Sequence, residues 1–123
     1  MSKITTLAFT KTLKTLFNLS NVYPNNVPDN QEINTGVYLY DAPNELYSHT
    51  NQVHFQFLTC GKDRNQTEQR AIELLNGLHF QFPLQIEDTL FVGAHLLQKQ
   101  PVYIGVDENK NYLFSFNMVF FVQ

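Results

Sequence analysis

Residues 53–78 read VHFQFLTCGKDRNQTEQRAIELLNGL. The first six alternate, with Val53, Phe55 and Phe57 on one side and His54, Gln56 and Leu58 on the other. That period of two marks a half-buried strand. After Gly61 and Lys62 the period changes. Ala71, Leu74, Leu75 and Leu78 recur at i, i+3, i+4 and i+7, the apolar stripe of a helix. Asp63 or Asn65 can cap that helix, with Glu68 three residues after Asn65 as in a capping box, and Gly77 is placed to end it. A strand that turns directly into an amphipathic helix predicts a sheet with a helix laid on one face. The junction carries no evident reacting group, so its purpose has to be sought in what it supports.

Upstream, residues 2–18 read as a second helix, with Phe9, Leu13, Leu16 and Phe17 on its main face and Lys11 and Lys14 opposite. Ile4 and Leu7 fall off that stripe. Residues 21–35 hold two prolines and many asparagines, which predicts a loop with a short edge strand at Val22 and Tyr23 before Pro24. GVYLYD (36–41) reads as a strand. Residues 42–51 are a polar connection long enough to protrude, with Leu46 and Tyr47 its only large hydrophobic side chains.

Downstream, FQFPLQI (80–86), LFVGAHLLQ (90–98), PVYIGV (101–106) and YLFSFNMVFFV (112–122) are β-like, and DENKN (107–111) predicts a tight hairpin between the last two. The order of elements predicts an α+β fold: a mainly antiparallel sheet with two principal helices packed on one face. The 123 residues are expected to form a single domain, 1–123. Such a chain buries roughly 65–70% of its unfolded surface and folds without staples.

Composition narrows the function. One cysteine, Cys60, excludes an internal disulfide and a cysteine-based zinc site and fits a reducing cytoplasm. No run of about 18 apolar residues is present to span a bilayer as a helix. Residues 1–28 carry three lysines and no acid, whereas the rest carries five basic against eleven acidic side chains. The net charge of −3 argues against nucleic-acid recognition. His49, His54, His79 and His95 share no metal-binding spacing on one element, and a lysine beside Cys60 makes no nucleophilic pair by itself. Glu87-Asp88 and Asp107-Glu108 are sequence neighbours that a strand would point apart. Asp107, Asn109 and Asn111 begin a calcium-loop spacing, but Tyr112 and Met118 stand where glycine and glutamate are needed. The expectation is therefore no enzyme, no catalytic residue, no metal and no cofactor.

The last strand is the informative one. Tyr112, Phe114, Phe116, Met118, Phe120 and Val122 lie on one side, and Leu113, Ser115, Asn117, Val119 and Phe121 on the other. Helices on one face leave the second set to another cover. Leu113, Val119 and Phe121 are thus the candidate subunit interface, and Asn44, Glu45, Leu46 and Tyr47 the candidate partner-docking loop.

The chain also resembles the minor capsid or tail-terminator proteins, the tail-to-head joining proteins of long, flexible-tailed phages. The likeness lies in the aromatic strand VHFQFLTCGKD passing into EQRAIELLNGL and in the closing QPVYIGVDENKNYLFSFNMVFFV, with Pro101, Gly105, Asp107, Tyr112, Phe114 and Asn117 at the corresponding places. It covers residues 36–123 by motif and the first 35 by layout, and departs at the first loop and at 80–100, where Pro83 stands. The resemblance implies a subunit of a hexameric ring in the virion neck, assembled in the host bacterial cytoplasm. The implied partners are other copies of itself, the tail tube protein and the head connector or head-closure protein. The implied role is to stop tube growth and join tail to head, with no cofactor and no membrane. Two rival readings stay open: another neck or tail-tube subunit, with residues 24–35 or 41–52 as a stacking arm, and a small ligand-binding or enzymatic α+β domain.

Overall fold

The structure, a computed structural model, describes residues 5–19, 21–24, 33–40, 52–79 and 82–123. Two helices and seven strands follow in the order α1 (Thr6–Phe17), β1 (Val22–Pro24), β2 (Asn34–Tyr40), β3 (Gln52–Gly61), α2 (Arg64–His79), β4 (Leu84–Ile86), β5 (Thr89–Leu96), β6 (Val102–Val106) and β7 (Tyr112–Val122). The strands form one sheet in the order β1-β2-β3-β7-β5-β4, with β6 also paired to β7. Among the described residues only the β1–β2 pairing is parallel. This is an α+β fold built mainly of antiparallel strands.

β3 and β7 form the spine, in register from Gln52↔Phe121 to Gly61↔Tyr112. Their alternation is as the sequence predicts: Phe55 and Phe57 face inward with Phe114, Phe116, Met118 and Phe120, all at most 1% exposed. Both helices cover that side. Phe9 of α1 sits among the rings of Phe55, Phe57, Phe91 and Phe120, its centroid 4.1 Å from Phe55 and 5.2 Å from Phe120. Phe57 stacks on Phe116 at 4.6 Å. The chain's eleven phenylalanines largely serve this packed aromatic core, where offset and edge-on pairs add to simple burial.

In α2, Ala71, Leu74, Leu75 and Leu78 are buried on the expected stripe. Its cap is Asp63 alone: the Asp63 carboxylate accepts from the Gln66 N–H at 2.9 Å, and its carbonyl from the Thr67 hydroxyl at 2.6 Å. Asn65 lies inside the helix, so the Asn65–Glu68 capping box does not form. Gly77 does not end α2, which runs on to His79. A Cβ at Gly77 would overlap the ring of Phe17, so the glycine lets α1 and α2 approach closely.

α1 is capped by Thr5, whose hydroxyl accepts from the Ala8 N–H, and ends at Asn18 in the left-handed conformation. Its buried residues are Ala8, Phe9, Thr10 and Leu13. Leu16, expected on the buried stripe, is 38% exposed. The face is rotated because Thr10 goes inside, its hydroxyl satisfied by the Thr6 carbonyl at 2.6 Å. Residues 2–4 of the predicted helix lie outside the described residues. Of the expected strand 80–86, residues 80 and 81 lie outside the described residues; the rest forms a strand at Leu84–Ile86, and Phe82 packs instead on Phe120. The 107–111 hairpin forms as predicted. Asp107 and Asn111 close it through the Asp107 N–H to the Asn111 carbonyl, and Lys110 sits at φ 65.

Candidate assembly surface

Because α1 and α2 take one side of the sheet, the alternate positions of β2, β3, β5, β6 and β7 line the other. Cross-strand partners share a face, so the registers specify its composition. Asn34, Gly36 and Tyr38 come from β2, and Gln52, His54, Gln56, Leu58 and Cys60 from β3. Leu113, Ser115, Asn117, Val119 and Phe121 come from β7, Gly93 and His95 from β5, and Val102 and Gly105 from β6. None of these is Asp, Glu, Lys or Arg. In a chain with nineteen charged side chains, the described residues of this broad sheet face thus carry no fixed charge.

The candidate interface residues all belong to this face and are half-buried. Val119 and Phe121 are neighbours, with Val119 between His54 and His95, and Phe121 between Gln52 and Gly93. Leu113 lies six residues from Val119 on the same strand, about 20 Å away at the rise of a strand. It is flanked by Cys60 and Gly105. A patch joining all three would run the length of β7. The candidate docking residues Asn44, Glu45, Leu46 and Tyr47 lie outside the described residues, as do residues 25–32 and 41–51 of the possible stacking arms 24–35 and 41–52.

Polar groups on the face are tied down locally. His54 Nε2 lies 3.1 Å from Asn117 Oδ1, and the Asn117 N–H donates to Gln98 Oε1 at 2.9 Å. Gln98 thereby fills the gap along β7 between the ends of β5 and β6. Burial pushes the Tyr38 phenol up, with Cys60 adding to the effect. These contacts orient the side chains. Among the described residues no group of three His, Cys, Asp or Glu is arranged to hold a metal ion.

β6 was legible only as a hairpin arm. In the structure Val102, Tyr103, Ile104 and Val106 are all exposed, on both faces of a strand whose described partner is β7 alone. Its lack of alternation was the available signal: four large apolar residues in five positions cannot all turn inward on an edge strand. Arg64 at the start of α2 lies 4.3 Å over the Tyr103 ring and anchors this arm to the helix layer.

No family model matches the sequence, and no curated protein matches it. Among solved structures, a chain from the virion of a native gene transfer agent (GTA) particle has the same fold, with a TM-score of 0.59 over 95% of this chain and 88% of that chain. The two sequences are 15% identical, so the likeness is one of fold.

Proposed function

We propose that this chain is a structural subunit of a phage-like particle. Within it, the chain forms a ring at the head-proximal end of the tail, ends tube growth and joins the tail to the head connector. One observation carries the reading: a sheet face whose described residues hold no fixed charge, with Leu113, Val119 and Phe121 half-buried opposite the helix layer. A specific contact between subunits typically buries about 1,200–2,000 Å² in total, and a face free of carboxylates and ammonium groups is covered without stranding a charge. The fold shared with a chain of a virion particle supports the structural role. The ring, the neck position and the docking role of Asn44, Glu45, Leu46 and Tyr47 rest on the sequence resemblance.

Particles assembled in the absence of this chain, viewed by electron microscopy, test the reading. Overlong tails detached from heads are the expected result. Tails of normal length joined to heads would contradict it.

A further inference from the structure

β6 is an open edge of the sheet. Val102, Tyr103, Ile104 and Val106 are 39–52% exposed, and a Cβ at Gly105 would meet no atom within 4 Å. Among the described residues β6 pairs with β7 alone, so the backbone groups on its outer side meet no further strand there. We propose that this edge pairs, antiparallel and about a two-fold axis, with β6 of a second copy of the chain. The contact is distinct from the Phe121 face and stands independently of it.

The occupant follows from the edges. An unpaired edge strand is a template for another strand, and folds usually blunt it with lysine, proline or shortness. The other outer strands here are blunted. β1 has three residues, ends in Pro24, which has no N–H, and buries Val22. β4 has three residues directly after Pro83. β6 has five, none of them charged and none proline, with a register shift between Tyr103 and Gly105. Head-to-tail pairing would need β1 as its second edge, so the strand that fits β6 is another β6. A two-fold pair also uses both edges and closes, whereas head-to-tail pairing would grow.

Charge agrees with the antiparallel orientation, which sets the start of one β6 beside the end of the other. The start follows the connection 97–101, whose charged residue is Lys99, exposed. The end enters the hairpin 107–111, where Asp107 and Glu108 outnumber Lys110. Lys99 of each copy therefore comes beside the acidic side of the other's hairpin, once at each end of the pair. A parallel pair would set lysine beside lysine and acid beside acid. A single edge strand buries well under the about 1,200 Å² of a standard interface. The contact is therefore weak between free copies, and fills at high concentration or where another contact already holds copies together.

Zero-length carbodiimide cross-linking of an equal mixture of isotope-labelled and unlabelled full chain, at up to about 1 mM, tests this. The measurement is made on wild type and on Phe121→Asp, with melting temperatures confirming that every sample is folded. The expected product joins Lys99 of one isotope to Asp107 or Glu108 of the other. Ile104→Lys places two lysines near the two-fold axis and is expected to lower its yield at least about tenfold. Val92→Lys, similarly exposed but on β5, is expected to leave it unchanged. Absence of mixed-isotope Lys99 links from both wild type and Phe121→Asp would overturn the proposal, as would links undiminished in Ile104→Lys. The two readings fail separately. If Phe121→Asp forms the same ring as wild type, the face reading falls, and the edge pairing is still decided by Ile104→Lys.

Discussion

Phe17 in the last turn of α1 lies against the backbone of Gly77 in α2, where a single added methyl group would overlap its ring. This contact joins the two helices of the layer that covers the sheet. Alanine in a helix interior normally gains about 0.5–1 kcal/mol over glycine. Here the overlap reverses the sign, and Gly77→Ala is expected to destabilise by about 1 kcal/mol, at the low end for an overpacked site because the half-buried ring can partly move. In a Phe17→Ala background the same change is expected to stabilise. Denaturant melts of the four proteins in this cycle check both signs.

Leu74 is 1% exposed in the core between α2 and the sheet. Leu74→Ala is expected to cost about 2–5 kcal/mol, the range for a buried leucine. Gln69→Ala on the exposed side of the same helix is expected to stay within about 0.5 kcal/mol. Urea midpoints of equal size for the two would show the helix face to be misplaced.

The Asp107 carboxylate accepts from the backbone N–H of Asn111 and Asn109, each at 2.9 Å, and from the Asn111 side-chain amide at 3.1 Å. The Asn111 backbone bond is the leading reason its pKa is held below the usual carboxylate range. A folded pKa below the unfolded one, about 3.9, means the contribution is fully present above that value and is lost as the pH falls through the lower folded pKa. Asp107→Ala is therefore expected to lower the melting temperature at neutral pH, and the gap from wild type should close in acid below about pH 4. A gap that widened in acid would reverse the assignment.

The elements decided by strong periodicity were legible in the sequence. Phe55 and Phe57 against His54 and Gln56, and the inward set of β7, lie as the period of two requires. What the sequence concealed depended on partners remote in the chain. Thr10 enters the core because its own helix satisfies its hydroxyl, which rotates α1 and leaves Leu16 outside. Gly77 has the look of a helix stop, and only the approach of Phe17 reveals its packing role. The candidate face was half legible: alternation separated Val119 and Phe121 from Phe114 and Phe116. It took the strand order to place His54 and His95 on either side of Val119, since β3 and β5 meet across β7 and are far apart in sequence.

The central claim is that the face bearing Phe121 is covered by another copy of this chain. Native mass measurement of wild type and Phe121→Asp at neutral pH, paired with circular dichroism, tests it most directly. A buried unpaired carboxylate is strongly disfavoured, whereas on an open sheet face it is tolerated. The account predicts a discrete ring for wild type and a monomer with unchanged circular dichroism for Phe121→Asp. A variant that still forms the same ring, or one that unfolds because Phe121 belongs to the subunit's own core, would contradict it.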